Sequence, residues 1–197
     1  MEGIIKFNAK RISSDLISDN EFAILNPWRQ QSYNAGNIGI GADGIGYGNI
    51  SYRSGDDNEF IISASGTGGI KELNKSDYSR VSNFDISNNS LECCGNKLAS
   101  SESLSHAAIY LANSNIKAVL HIHNIALWKK HLHKLPTTDK SAEYGTKAMA
   151  DSISKLVEQN PSNNGIIVMG GHREGILSYG DDLLSCSSAV DSLLNQE

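Results

Sequence analysis

Residues Ala118-Val119-Leu120-His121-Ile122-His123 form a short apolar run carrying two histidines one residue apart. A run of this length and composition reads as a buried strand. Side chains on a strand alternate faces, so His121 and His123 share one face while Ile122 enters a core on the other. Two imidazoles held side by side on a rigid face are two of the three protein ligands that a catalytic zinc site needs, and the third must come from elsewhere.

The rest of the chain supplies elements to flank that strand. Asn49 to Arg53 and Phe60 to Ser63 bracket the turn-rich cluster Ser54-Gly55-Asp56-Asp57-Asn58, which predicts a hairpin. Tyr78 to Asp85 extends as a strand that Asn88-Asn89-Ser90 breaks, and Gly165 to Met169 and Ile176 to Tyr179 read as two more. A helix is expected from Ser100-Ser101-Glu102 to about Asn113, with Leu104, Ala107, Ala108 and Leu111 facing inward. Another runs from Tyr144-Gly145-Thr146 to about Gln159, and a last one carries Leu183, Leu184, Val190, Leu193 and Leu194. A weaker pattern allows one helix from about Ile12 to Tyr33, with Pro27 interrupting it. Without repeats or linkers, residues 1–197 read as a single domain of helices flanking a sheet.

Composition narrows the function classes. Apolar residues make up 39% and charged residues 20%, which suits a globular protein with a core. A formal charge of −5 speaks against a nucleic-acid surface, which needs a basic stripe. No apolar run reaches membrane-spanning length and the start lacks a signal-like apolar stretch, so a cytoplasmic protein with no membrane partner is expected. Cys93, Cys94 and Cys186 form no paired spacing and leave an odd one, which predicts reduced cysteines rather than disulfides or a thiolate zinc site.

Several motifs then compete for the chemistry. Gly39-Ile40-Gly41-Ala42-Asp43-Gly44 matches the dinucleotide fingerprint letter for letter, but it runs on into Asn49-Ile50-Ser51-Tyr52-Arg53, a strand where the fingerprint requires a helix. A tight turn feeding a strand is the reading kept. Ser65-Gly66-Thr67-Gly68-Gly69 is a small-residue loop of the kind that lets backbone N–H groups approach an anion. Ser100 and Ser101 suit a helix cap and equally suit a phosphate at a helix start. His131 and His133 sit among lysines and are expected on the surface. His172, just past a strand end, is the candidate third ligand.

The succession Gly48-Asn49-Ile50-Ser51, Ser65-Gly66, Ser100-Ser101-Glu102 with His106, His121-Ile122-His123, Tyr144-Gly145-Thr146 and His172 resembles the class II aldolase/adducin family from about Gly46 to Gly180. The resemblance implies a three-layer α/β/α sandwich on a largely antiparallel central sheet, assembled as a homotetramer with sites near subunit interfaces. It implies that His121, His123 and His172 bind a metal, usually Zn2+. Asn49, Ser65, Gly66, Ser100 and Ser101 would cradle the phosphate of a sugar phosphate. Glu102 would be the acid/base, and His106 would pack without ligating. Retro-aldol cleavage leaves negative charge on an enediolate, for which zinc is a suitable Lewis acid, and a phosphate grip remote from the broken bond supplies positioning.

The sequence also departs from the family's pattern. Ser141 stands where family aldolases have tyrosine and epimerases aspartate, and Glu143 could supply a second carboxylate as in the family's dehydratases. Thr67-Gly68 competes with Ser65-Gly66 as the phosphate loop. The usual His-Gly pair is replaced by His172-Arg173-Glu174-Gly175, with Arg173 expected at the surface, and no C-terminal tail bearing a catalytic tyrosine is expected. The leading expectation is a zinc-dependent aldolase of a small ketose phosphate. A dehydratase or epimerase on the same metal, or a non-catalytic adducin-like module, remains the alternative.

Overall fold

A computed structural model describes residues 4–53 and 58–195. An eight-stranded mixed sheet forms the frame. In spatial order its strands are β1 (Asn8–Ser13), β7 (Ser90–Cys94), β6 (Tyr78–Asp85), β5 (Phe60–Ser63), β4 (Asn49–Tyr52), β8 (Ala118–His123), β10 (Gly175–Gly180) and β9 (Gly165–Val168). β1 runs parallel to β7, whereas β4, β8, β10 and β9 pair antiparallel in sequence across the sheet. β2 (Gly39–Ile40) and β3 (Gly46–Tyr47) form a separate two-stranded ribbon. No helix among the described residues is long and apolar enough to cross a membrane.

Two cores cover the two faces of this sheet. On one, Val119 and Leu177 meet α2 (Ser103–Ala112) and α4 (Lys147–Glu158) through Leu104, Ala108, Met149 and Ile153. On the other, Ala118, Leu120 and Ile122 meet α1 (Asp19–Asn34), α3 (Ile125–His131) and α5 (Leu183–Leu194) through Leu25, Leu127, Cys186 and Val190. The alternation along β8 therefore sends Val119, His121 and His123 to the α2 and α4 side. All six residues of β8 are buried.

The N-terminal third differs from the sequence expectation of one helix over 12–33. Ile12 lies in β1, an edge strand whose mostly exposed side chains give no apolar alternation to read. The helix starts at Asp19, where Ser18 and Glu21 form a reciprocal capping box. Pro27 lies inside α1 without ending it. The inner stripe is Leu25, Arg29 and Ser32, at i, i+4 and i+7.

Smaller corrections follow the same physics. The Asn88-Asn89-Ser90 break is a turn with Asn89 at φ 48°, after which β7 returns against β6. Leu111 is 56% exposed because burial along α2 stops at Tyr110. His131 is buried, not at the surface, because it shares the inner stripe of α3 with Leu127 four residues earlier, while His133 is exposed. β4 and β5 pair antiparallel as the hairpin reading requires, though its turn residues 54–57 lie outside the described residues. The glycine-rich 39–44 segment is a strand and turn leading to β3, as the rejection of the dinucleotide motif implies. The three cysteines are unpaired.

Candidate metal centre and anion cradle

β8 presents His121 and His123 on one face, and the turn between β9 and β10 brings His172 to meet them. His121 Nε2 lies 3.1 Å from His123 Nε2, and His123 Nε2 lies 3.1 Å from His172 Nε2. Tetrahedral ligation at Zn–N distances of 2.0–2.1 Å places neighbouring nitrogens about 3.3 Å apart. The three rings are thus spaced as the ligands of one small cation are, and their donor atoms all lie within 4.8 Å of one another.

Supporting groups fix each ring. His121 Nδ1–H donates to the Ile176 carbonyl on the neighbouring strand at 3.2 Å, which leaves the Nε2 lone pair directed at the other two histidines. Burial first, and then the neighbouring His123 and His172, hold the His121 pKa well below its usual value. The neutral ring is the ligating form. Tyr47 from the β2–β3 ribbon stacks on His123 at 5.2 Å between centroids, and Tyr144 packs against His172 at 4.9 Å. Gly171 permits this close approach, since a Cβ there would lie 1.9 Å from the Ala142 carbonyl oxygen.

Glu102 stands at the start of α2 and is 3% exposed. Its Oε2 accepts from Ser105 Oγ at 2.8 Å, and its Oε1 lies 3.8 Å from His172 Nε2. A carboxylate, three imidazoles and one open side make an arrangement able to hold a divalent cation and move a proton next to it.

A pocket adjoins this cluster, lined by Asn49, Ser65, Gly66, Ser100, Ser101, Glu102, His121 and Tyr144, with Gly46, Tyr47, Gly48, Ala64, Thr67 and Gly68 completing it. Asn49, Ser65, Gly66, Ser100, Ser101 and Glu102 therefore line one pocket with His121, through which it meets His123 and His172. Asn49 pairs with His121 across β4 and β8, and its side-chain oxygen is buried without a hydrogen-bond partner. Such an orphan acceptor in a polar pocket is what a bound ligand would satisfy. Gly66 adopts φ +75° with no atom near its missing Cβ, open towards a ligand. The Thr67 hydroxyl and the Gly68 Cα are committed to the scaffold instead, which leaves only backbone of these two residues to face the pocket. Thr67 Oγ1 donates to the Ala64 carbonyl at 2.7 Å, and a Cβ on Gly68 would lie 2.7 Å from the Tyr47 backbone.

Other residues named from the sequence lie apart. Glu143 is exposed and its Oε2 accepts from Lys6 Nζ at 2.9 Å, and Ser141 donates to Asp139 in an exposed turn. Neither lines the pocket. Arg173 is exposed. His106 is fully buried, and its Nδ1 lies 2.7 Å from Ser51 Oγ, so it braces α2 on β4 and does not join the triad. Tyr47 is the site residue that sequence reasoning missed. Its only signal was an aromatic residue just before Gly48-Asn49, inside a glycine run that reads as a turn.

Comparison with known proteins identifies the fold and the family. The solved L-fuculose 1-phosphate aldolase structure shares the fold at a TM-score of 0.70 and 21% identity, covering 91% of this chain and 84% of that one. An L-fuculose-1-phosphate aldolase from Thermus thermophilus aligns at a TM-score of 0.59 and 18% identity, covering 89% and 90%. A sugar-phosphate aldolase from Thermotoga maritima aligns at 0.61 and 14%, covering 85% and 88%. No curated protein sequence matches the chain. At these identities the structures establish a shared α/β fold. The family model described as class II aldolase and adducin N-terminal domain matches residues 40–193, and the chain belongs to that family.

Proposed function

We propose that this protein is a metal-dependent aldehyde-lyase that cleaves a carbon–carbon bond in a small ketose phosphate. The observation that carries the reading is the convergence of three Nε2 atoms at 3.1 Å steps with the Glu102 carboxylate 3.8 Å from one of them. His121, His123 and His172 would hold the cation, for which zinc is the fitting choice given three imidazole nitrogens as donors. When bound, such a cation supplies a Lewis acid for the oxygens on which charge develops.

The chain's own groups account for the rest. Ser65, Ser100 and Ser101 offer hydroxyl donors, Gly66 offers open backbone, and the N-terminus of α2 adds a favourable dipole for a phosphate. Binding there positions the substrate's far end, so that the bond to be broken lies next to the histidines. Glu102 takes the proton of the hydroxyl beyond that bond. The hydroxyl carbon becomes an aldehyde, the electron pair of the broken bond stays with the ketone fragment, and Glu102 returns the proton to that fragment. Ser105 orients the carboxylate through Oε2 and leaves Oε1 for this transfer.

Two cores on opposite faces of the mixed sheet fit a three-layer arrangement with a largely antiparallel centre. A homotetramer in the cytoplasm completes the proposal, and gel filtration and cell fractionation test those two parts. A panel of ketose phosphates incubated with the zinc-loaded protein tests the activity. Aldehyde release from at least one, abolished by chelation, supports it. Substrate dehydration or epimerisation without aldehyde would contradict it.

A further inference from the structure

Arg29 is a cation with no exposed surface, at the centre of the inner stripe of α1. Its Nη2 donates to the carbonyls of Thr67, Gly68 and Ile70 at 2.9, 3.2 and 2.5 Å, and its Nη1 donates to the carbonyl of Lys71 at 3.0 Å. The guanidinium also lies 4.6 Å from the Tyr33 ring centroid. Among the described residues no carboxylate is within ion-pair distance of it. Burying such a charge is costly unless its donors are all used, and here they are spent on the backbone of a single loop.

That loop continues directly from Ser65-Gly66, and Ser65, Gly66, Thr67 and Gly68 all line the pocket while Arg29 does not. In a trans peptide the N–H points opposite to the C=O. Turning the carbonyls of Thr67 and Gly68 onto Arg29 therefore turns the N–H groups of Gly68 and Gly69 away from it. It also removes those carbonyl dipoles from the side where an anion would sit, and leaves a fixed positive charge behind the loop in a low-dielectric interior. A bare cap or core role does not account for one side chain gathering four carbonyls from consecutive turns of a glycine loop.

We infer that Arg29 is a positioning residue for the anion cradle: from behind the 65–71 loop it holds four carbonyls back, so that the loop presents donors and positive potential to a phosphate. The inference rests on the cradle reading given above.

The test titrates inorganic phosphate into zinc-loaded wild type, Arg29→Gln, Arg29→Lys and Ser101→Ala by calorimetry, with zinc content and melting temperature measured on the same samples. Arg29→Gln is expected to weaken phosphate binding roughly tenfold at unchanged zinc content, with Arg29→Lys intermediate because it keeps the charge but cannot span four carbonyls. Wild-type phosphate affinity in Arg29→Gln overturns the inference, as does loss of zinc and phosphate together in both arginine variants, which would make Arg29 a general prop of the fold. Should Arg29→Gln fail to fold, Arg29→Lys decides alone: weakened phosphate binding at full zinc supports the inference and wild-type binding overturns it. Phosphate binding that is absent in wild type, or untouched by Ser101→Ala, instead overturns the cradle reading itself.

Discussion

The Nε2 atoms of His123 and His172 stand 3.1 Å apart although 49 positions separate the residues in the chain. One histidine ends the central strand β8 and the other sits in the turn that opens β10, the strand paired to it, with His123 opposite Gly175. The register of two adjacent strands thus sets the distance between ligands. A slip of one residue would turn His121 and His123 into the opposite core.

Glu102 is predicted to be needed for turnover and dispensable for metal. Glu102→Gln keeps the shape and the contact with Ser105 but cannot accept a proton. Turnover of the ketose phosphate should fall at least ~100-fold, the usual contribution of a positioned acid/base. Zinc content should match wild type. Steady-state kinetics beside elemental analysis checks both, and retained turnover would remove Glu102 from the proposed role.

Asn49 carries an unpaired buried oxygen, so its removal should separate stability from binding. Asn49→Ala deletes an acceptor that lacks a partner in the free protein and should leave the melting temperature equal or higher. The same change removes the amide Nδ2–H that Asn49 would donate to the phosphate, so KM for the phosphorylated substrate should rise roughly tenfold, the loss of one good hydrogen bond to a charged group. A large drop in melting temperature with KM unchanged would make Asn49 structural.

His106 predicts an acid-sensitive fold. Burial pushes its pKa down from 6.5 to about 3. The folded state therefore binds fewer protons than the unfolded state between those values, and stability rises with pH across that window. The contribution is fully present above pH 6.5 and is lost as pH falls towards 3, at up to about 1.4 kcal/mol per pH unit for one group. Denaturant melts of metal-free wild type and His106→Gln from pH 7 to pH 4 check this. The variant should show the shallower loss, and parallel curves would assign the acid sensitivity elsewhere.

Much of the candidate site was legible because its signals are local. The i, i+2 histidines on an apolar strand, Ser100-Ser101-Glu102 ahead of a helix and Ser65-Gly66 in a loop each carry their geometry within a few residues. What was not legible depends on partners distant in sequence. β1 shows no alternation because it is an exposed edge, and it exists through its pairing with β7. His131 among lysines reads as solvated until α3 turns it inward beside Leu127. Arg29 reads as one more charge on a weak helix, and Tyr47 as part of a glycine turn. Only the folded chain puts the first behind the 65–71 loop and the second over His123.

The central claim is that two imidazoles from β8 and one from the turn that opens β10 share one cation. The most direct measurement is the zinc stoichiometry of purified protein, dialysed against zinc and freed of excess, for wild type and the double variant His121→Ala/His123→Ala. One zinc per chain in wild type and near none in a folded double variant is the predicted result. Equal zinc in the two proteins, or none in wild type, would contradict the account.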